Sequence, residues 1–247
     1  ALQAVRRDKR EMFGHNLDPI NMPIKYKLSS SHYRLYQQLM DEQLLLFTDG
    51  TKIDATTAQR LYHASQQIIL NYDYFSGKEG NRSATYDLLD QVIEEVNPMD
   101  HGSSKLVVWT YYQRSSAAVT QYLKAAYGDS VVAAYGAVDS GKAVKAIMHD
   151  DRVRILVAQP SSVGVGLNLH HVCSEMLFLE MATSPMQIRQ AMGRVDRVGQ
   201  TVRPTIRFAL AERTVQNKLF NRLLDNDELV KQVEKTPKSL REEIFGL

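Results

Sequence analysis

The chain has 247 residues, enough for one large domain or two modest ones, and its 44% hydrophobic and 23% charged residues allow a buried core beneath an ordinary polar surface. No apolar run approaches the roughly 20 residues that cross a bilayer, no N-terminal apolar segment marks secretion, and the lone Cys173 excludes an intramolecular disulfide or a cysteine-based zinc site. An intracellular, reducing location is expected, and the net charge of +2 says little until its distribution is considered.

The chain opens Ala-Leu-Gln without an initiator Met, as expected of a piece of a longer polypeptide. Residues 1–35 carry seven Lys/Arg against three acids. "MPIKYKLS" (22–29) reads as a strand, and Ser30 or Ser31 then caps a helix to about Phe47, with Leu35, Leu39 and Leu46 among its apolar positions. "TDGTKID" reads as a loop, and residues 56–72 and 82–96 as a second and a third helix. Residues 36–100 are acidic, with eleven Asp/Glu against four Lys/Arg. "NPMDHGSS" (97–104) is a turn-rich connector. Residues 1–100 are therefore expected to be a mostly helical preamble packed on the remainder of the chain.

From Lys105 the pattern becomes regular. "KLVVWT" (105–110), "SVVAAYG" (130–136), "VRILVAQ" (153–159), "EMLFLE" (175–180) and "TIRFAL" (205–210) are short runs rich in strand formers. Helical patterns separate them: "SSAAVTQYLKAAYG", then "DSGKAVKAIMHDD" with Asp139 or Ser140 as N-cap, then a helix introduced by Ser184-Pro185. Residues 212–233 read as a last helix. Near-continuous apolar strands alternating with helices predict a parallel sheet covered on both faces, an α/β domain over residues 101–233. Residues 234–247 form a charged tail.

Two stretches carry chemistry. In "ILVAQPSSVGVGLNL" a buried strand runs into Ser161, Ser162, Gly164, Gly166 and Asn168. Ligands bind at the carboxyl ends of parallel strands, where glycines let the backbone approach a phosphate and small hydroxyls donate to it. A tight turn alone also explains the glycines, and a dinucleotide-binding reading stays open with Glu180 as ribose carboxylate, although Leu169 stands where a small residue is wanted.

The second stretch is "QAMGRVDRVGQ" (190–200), inside a segment (187–222) with eight Lys/Arg against two acids. Guanidinium is always charged and forks two donors towards phosphate oxygens. On a helix, Arg194 and Arg197 at i and i+3 share one face, Gln190 lies a turn earlier, and Gly199 ends the helix. Gly193 inside a helix costs about 1 kcal/mol relative to alanine, so it is expected to leave room for an approaching group. The plain alternative is a pair of surface arginines neutralised by Asp196 and other acids.

With these residues in view, "QAMGRVDRVGQ" resembles motif VI of superfamily 2 helicases, and its closing Arg-Val-Gly-Gln is typical of the Swi/Snf-type branch. "SVGVGLNLHHV" resembles motif V of that branch, "KLVVWTYYQRSSAAVTQYL" motif IV, and "VAAYGAVDSGKAVKAI" the next strand–glycine–helix element. "RRDKREM" with "IKYKLSSSHYRLYQQLM" is similar to the passage from the first ATPase lobe into the second, so the resemblance covers nearly the whole chain. The chain departs from the branch at Gln159-Pro160, where Ser-Thr is usual, at Gly193, where Asp is usual, and at Asp196, where His is usual; Lys142 matches the expected basic residue only loosely. No G-x-x-x-x-G-K-[ST] and no Asp-Glu-x-His box occurs.

The resemblance implies the second RecA-like lobe of an ATP-dependent nucleic-acid motor, with ATP and Mg2+ held mainly by a first lobe and duplex DNA as partner. It implies that Arg194, Arg197 and Gln190 serve catalysis and that Gly164, Gly166 and Gly193 line the nucleotide site. It places Thr110, Gln159, Ser161, Ser162 and Asn168 against the nucleic acid, assigns no metal ligand, and implies no ATPase activity for the lobe alone. A strand-separating helicase lobe and a non-enzymatic docking module of the same shape remain alternatives.

Overall fold

Runs of Val, Ile, Leu and Phe become six strands of one parallel sheet in the computed structural model, which describes residues 17, 19–46, 52–77, 82–163, 168–182 and 184–224. These strands are β1 (Ile20–Tyr26), β4 (Lys105–Trp109), β5 (Val131–Ala134), β6 (Ile155–Ala158), β7 (Cys173–Phe178) and β8 (Thr205–Ala211). Their order across the sheet is β1-β8-β7-β4-β6-β5. β2 (Leu44–Leu46) and β3 (Lys52–Asp54) form a separate antiparallel pair. The helices are α1 (Ser30–Glu42), α2 (Ala58–Leu70), α3 (Tyr72–Ser76), α4 (Ala84–Val96), α5 (Gln113–Tyr127), α6 (Ser140–His149), α7 (Pro185–Met192) and α8 (Val215–Leu224). None among the described residues is long and apolar enough to cross a membrane.

The strands read as continuous apolar runs because both faces of the sheet are covered. Along β4 the side chains alternate, with Val107 and Trp109 in one core and Leu106 and Val108 in the other. Trp109 and Phe178, then Phe208 and Phe220, continue the first core from β4 through β7 and β8 to α8. In the second, Val119 and Leu123 of α5 and Leu89 and Ile93 of α4 cover the opposite face. Side-chain caps start several helices where the sequence places Ser, Thr or Asp: Ser29, Thr57, Ser83 and Asp139 each accept from a first-turn amide. Ser184 sits at the N-cap position of α7 without a side-chain cap bond, so Pro185 alone marks that start chemically.

Three expectations need correction. The first helix ends at Glu42 rather than Phe47, because Gln43 turns left-handed at φ 55° and its amide closes on Leu39 O. The loop expected at "TDGTKID" is in part a strand, Lys52–Asp54 pairing with Leu44–Leu46. The expected preamble also shares the main sheet, since β1 pairs in parallel with β8 along its whole length. A third core built on Tyr36, Leu39, Leu61, Ile68 and Ile69 reaches Ala211 of β8, and Tyr36 Oη accepts the Val215 amide at the start of α8 at 3.0 Å. The end of the expected last helix and the tail 234–247 lie outside the described residues.

Candidate functional site

Because the strands run the same way, their carboxyl ends share one edge of the sheet and their amino ends the other. The loop from β6 to β7 and the segment from β7 to β8 each begin at the carboxyl edge and finish at the amino edge. The described ends of the two chemistry-bearing stretches meet at the amino edge. There the His170 amide donates to Arg194 O at 3.1 Å.

The arginines are not on a helix face. α7 ends at Met192, and Gly193 is its C-cap in ordinary right-handed conformation, its amide donating to Arg189 O at 2.9 Å. A β-carbon at Gly193 would lie 3.3 Å from that carbonyl, a tight contact with the helix's own end. Arg194, Val195, Asp196 and Arg197 continue in tight turns, their amides closing on Ala191, Met192, Met192 and Val195 carbonyls. Gly199, at φ 95°, reverses the chain, and a β-carbon there would stand 3.2 Å from His170 Nε2. The closing Gln200 is buried: its Nε2 donates to Cys173 O at 3.1 Å and its Oε1 accepts from the Thr201 and Val202 amides. This glutamine ties the arginine turn to the start of β7.

Arg194 is half-buried and Arg197 exposed, and neither guanidinium makes an ion pair with a described residue. Burial, followed by the nearby charge of Arg197, lowers the Arg194 pKa. Burial, His171 and Arg197 likewise lower that of His170, so the three groups share one positive field. Gln190 is exposed on α7. A cavity of about 500 Å³ opens beside the turn, lined by Ser104, His170, His171, Gln200 and Arg207. Arg207 is buried there and held by Glu95 at 2.8 Å and by Glu175. Among the described residues no group of three or more His, Cys, Asp or Glu is placed to hold a metal.

The carboxyl edge has a different character. Ser161 is exposed and Ser162 half-buried in a turn whose amide donates to Gln159 O at 3.0 Å. Gln159 is buried and its Nε2 donates to Tyr111 O at 3.1 Å. Thr110 departs from the expected ligand contact: it is 1% exposed, with its hydroxyl 2.8 Å from Ser116 Oγ. Asn168, between the edges, is half-buried, and its Oδ1 has no hydrogen-bond partner among the described residues. Gly164 and Gly166 lie outside the described residues.

Glu180 does not serve as a ribose carboxylate. It is buried, accepts from the Tyr111 and Tyr112 amides at 2.8 and 3.1 Å and from Ser115 Oγ at 2.5 Å, and burial raises its pKa to about 7. Those amides begin α5, whose N-cap Tyr112 offers no side-chain acceptor, so a carboxylate from the end of β7 caps the helix after β4. Also invisible in the spacing is a cluster of His63, Tyr111 and Tyr112, in which His63 Nδ1 lies 2.6 Å from Tyr112 Oη across 49 residues.

No family model matches the chain. An uncharacterized ATP-dependent helicase of Bacillus subtilis (strain 168), YqhH, is 27% identical over 146 residues, which is 58% of this chain and 25% of that protein. The Sulfolobus solfataricus SWI2/SNF2 ATPase core in complex with dsDNA superposes with a TM-score of 0.64 at 18% identity, over 92% of this chain and 50% of that one. The C-terminal domain of the Sulfolobus solfataricus ATPase (TM-score 0.64, 16% identity) and the C-terminal part of the Fun30 ATPase domain (0.63, 12%) are each covered almost completely, at 98% and 97%, by 92% of this chain. The fold is thus the RecA-like α/β fold of the C-terminal lobes of SWI2/SNF2 ATPases. The chain spans about a quarter of the curated relative it matches and half of the DNA-bound core.

Proposed function

We propose that this chain is the second motor lobe of an ATP-driven translocase on duplex DNA, and that Arg194 and Arg197 complete a nucleotide site whose other wall is a first lobe outside these residues. One observation carries the reading: two neighbouring guanidinium groups, without a described ion-pair partner, sit on a turn tied to the exit of the glycine-rich loop. Without an anion to face, such a pair is mutually repulsive, and burial, followed by the nearby charge of Arg197, lowers the Arg194 pKa. The triphosphate of ATP matches it in charge and in the geometry of bidentate donors.

ATP, with Mg2+ held from the first lobe, supplies the phosphoryl group to be transferred. This chain contributes Arg197, the exposed member, as the finger that meets charge developing on the γ-phosphoryl oxygens, an effect on the order of 10³–10⁵ in rate. Arg194, half-buried and with its backbone carbonyl held by the His170 amide, is the second arginine of the pair, and exposed Gln190 positions the nucleotide or attacking water. At the carboxyl edge Ser161 and Ser162 offer hydroxyls to the DNA backbone, with Thr110 and Gln159 supporting the loop from beneath. Backbone contacts make binding sequence-independent and salt-sensitive.

In the two-lobed protein, Arg197→Ala should abolish most ATP turnover while nucleotide binding largely survives. Unchanged turnover would remove the finger. The purified 247-residue chain should show no ATPase activity above background; turnover at the rate of a complete motor would refute the half-site reading.

A further inference from the structure

The helix that delivers His63 belongs to the acidic preamble. Most of α2 is buried, yet His63 and Gln67, one turn apart, are only half-buried. His63 is turned towards the β4–α5 loop, where its ring lies parallel to Tyr111 with centroids 6.2 Å apart and edge-on to Tyr62 and Tyr112. The loop is itself immobilised. Glu180 holds both tyrosine amides, Gln159 donates to Tyr111 O, and Asn71 Nδ2 at the end of α2 donates to Ser115 Oγ at 2.9 Å. A ring set this firmly is oriented for something.

Its hydrogen bonding says for what. Burial favours the neutral forms of both Tyr112 and the imidazole, and the Tyr112 hydroxyl, 2.6 Å away, can donate to Nδ1. A neutral ring accepting at Nδ1 carries its proton on Nε2. No described residue accepts from Nε2. Arg114, two residues beyond Tyr112, lies over the exposed Tyr74 ring at 3.5 Å and adds a cation at the start of α5. Tyr111, on which the ring stacks, is in turn bonded by Gln159, whose carbonyl holds the turn carrying Ser161 and Ser162.

We propose that His63 is a nucleic-acid backbone contact, donating its Nε2–H to a DNA phosphate at the carboxyl edge, with Tyr112 fixing the tautomer that makes the donor available. The assignment rests on the DNA-binding reading above and extends it to α2, outside the strand–helix repeat. The acidic preamble then has a part in holding the same strand that Ser161 and Ser162 touch.

The experiment measures binding of the 247-residue chain to a labelled duplex of random sequence by fluorescence anisotropy at low salt. His63→Ala should weaken binding on the order of tenfold, the value of one hydrogen bond to a charged acceptor. His63→Gln, whose amide nitrogen replaces Nε2, should recover most of the loss, and Tyr112→Phe should fall between. Equal losses for His63→Ala and His63→Gln would overturn the donor role. Ser162→Glu, which sets a carboxylate against the same strand, reports on the reading itself: if it weakens binding while His63→Ala does not, the His63 assignment alone fails. If the wild-type chain binds no duplex, both fail. A measurement free of substitution is the His63 15Nε2 resonance of the wild-type chain. It should shift saturably with duplex and not with inorganic phosphate at equal phosphate concentration; no shift at saturating duplex, or an equal response to both, overturns the assignment.

Discussion

At the scale of single residues, the arginine turn depends on groups that carry no charge. Gly199 combines a left-handed backbone with close approach to His170, so Gly199→Ala should cost about 1–3 kcal/mol and lower the unfolding midpoint, and by shifting the turn that presents Arg197 it should also depress turnover in the two-lobed protein. Gly193→Ala meets only a tight contact with its own helix carbonyl and should be milder. Far from this site, buried His32 donates from Nε2 to Ile68 O at 2.8 Å and stacks on Tyr72, with burial lowering its pKa from 6.5 to about 4. Between those values the unfolded chain binds the extra proton, so the stability contributed by neutral His32 is full above about pH 6.5 and lost as pH falls towards 4. Denaturant melts at pH 7 and pH 5 should show that loss, and His32→Phe should flatten the slope even though it removes a hydrogen bond.

At the scale of elements, the carboxyl edge is organised by a carboxylate rather than by loop sequence. Glu180 links the end of β7 to the first turn of α5, and Asn71 joins α2 to the same knot through Ser115. Glu180→Ala leaves two amides and a hydroxyl without their acceptor, so it should destabilise the chain by about 2 kcal/mol or more. Hydrogen exchange at the Tyr111 and Tyr112 amides should accelerate far more than at Val107 in the middle of β4; uniform acceleration would mean that Glu180 supports the whole core instead. Elements also explain where sequence reading stopped. The five strands after residue 100 were legible because burial on both faces writes each as a near-continuous apolar run. "LLL" at 44–46 is compatible with either a helix end or a strand, and only pairing with Lys52–Asp54 decides it. α7 looked longer than it is because Arg194, Val195 and Arg197 all tolerate a helix, whereas the chain must turn to reach β8.

At the scale of the whole molecule, one sheet separates two candidate sites. The arginine turn lies at the amino edge and the serine turn at the carboxyl edge. In the proposed two-lobed protein, Ser162→Glu should therefore raise the Kd for duplex DNA with little change in ATP affinity, and Arg197→Ala should lower ATP turnover while leaving DNA binding nearly intact. A substitution at either edge that changed both equally would mean that the edges are not separable.

The sequence by itself determined the α/β class, the order of strands and helices after residue 100, and the arginine pair with its glycine-rich partner loop, because these depend on local periodicity and on residue chemistry that no neighbour alters. Tertiary structure alone decided that β1 closes the sheet against β8, that the arginines stand at the edge opposite the serines, that Glu180 caps a helix instead of facing a ribose, and that His63 meets Tyr112. Each of these is a contact between residues distant in the chain, set by how apolar faces pack, and spacing along one strand or helix carries no record of it.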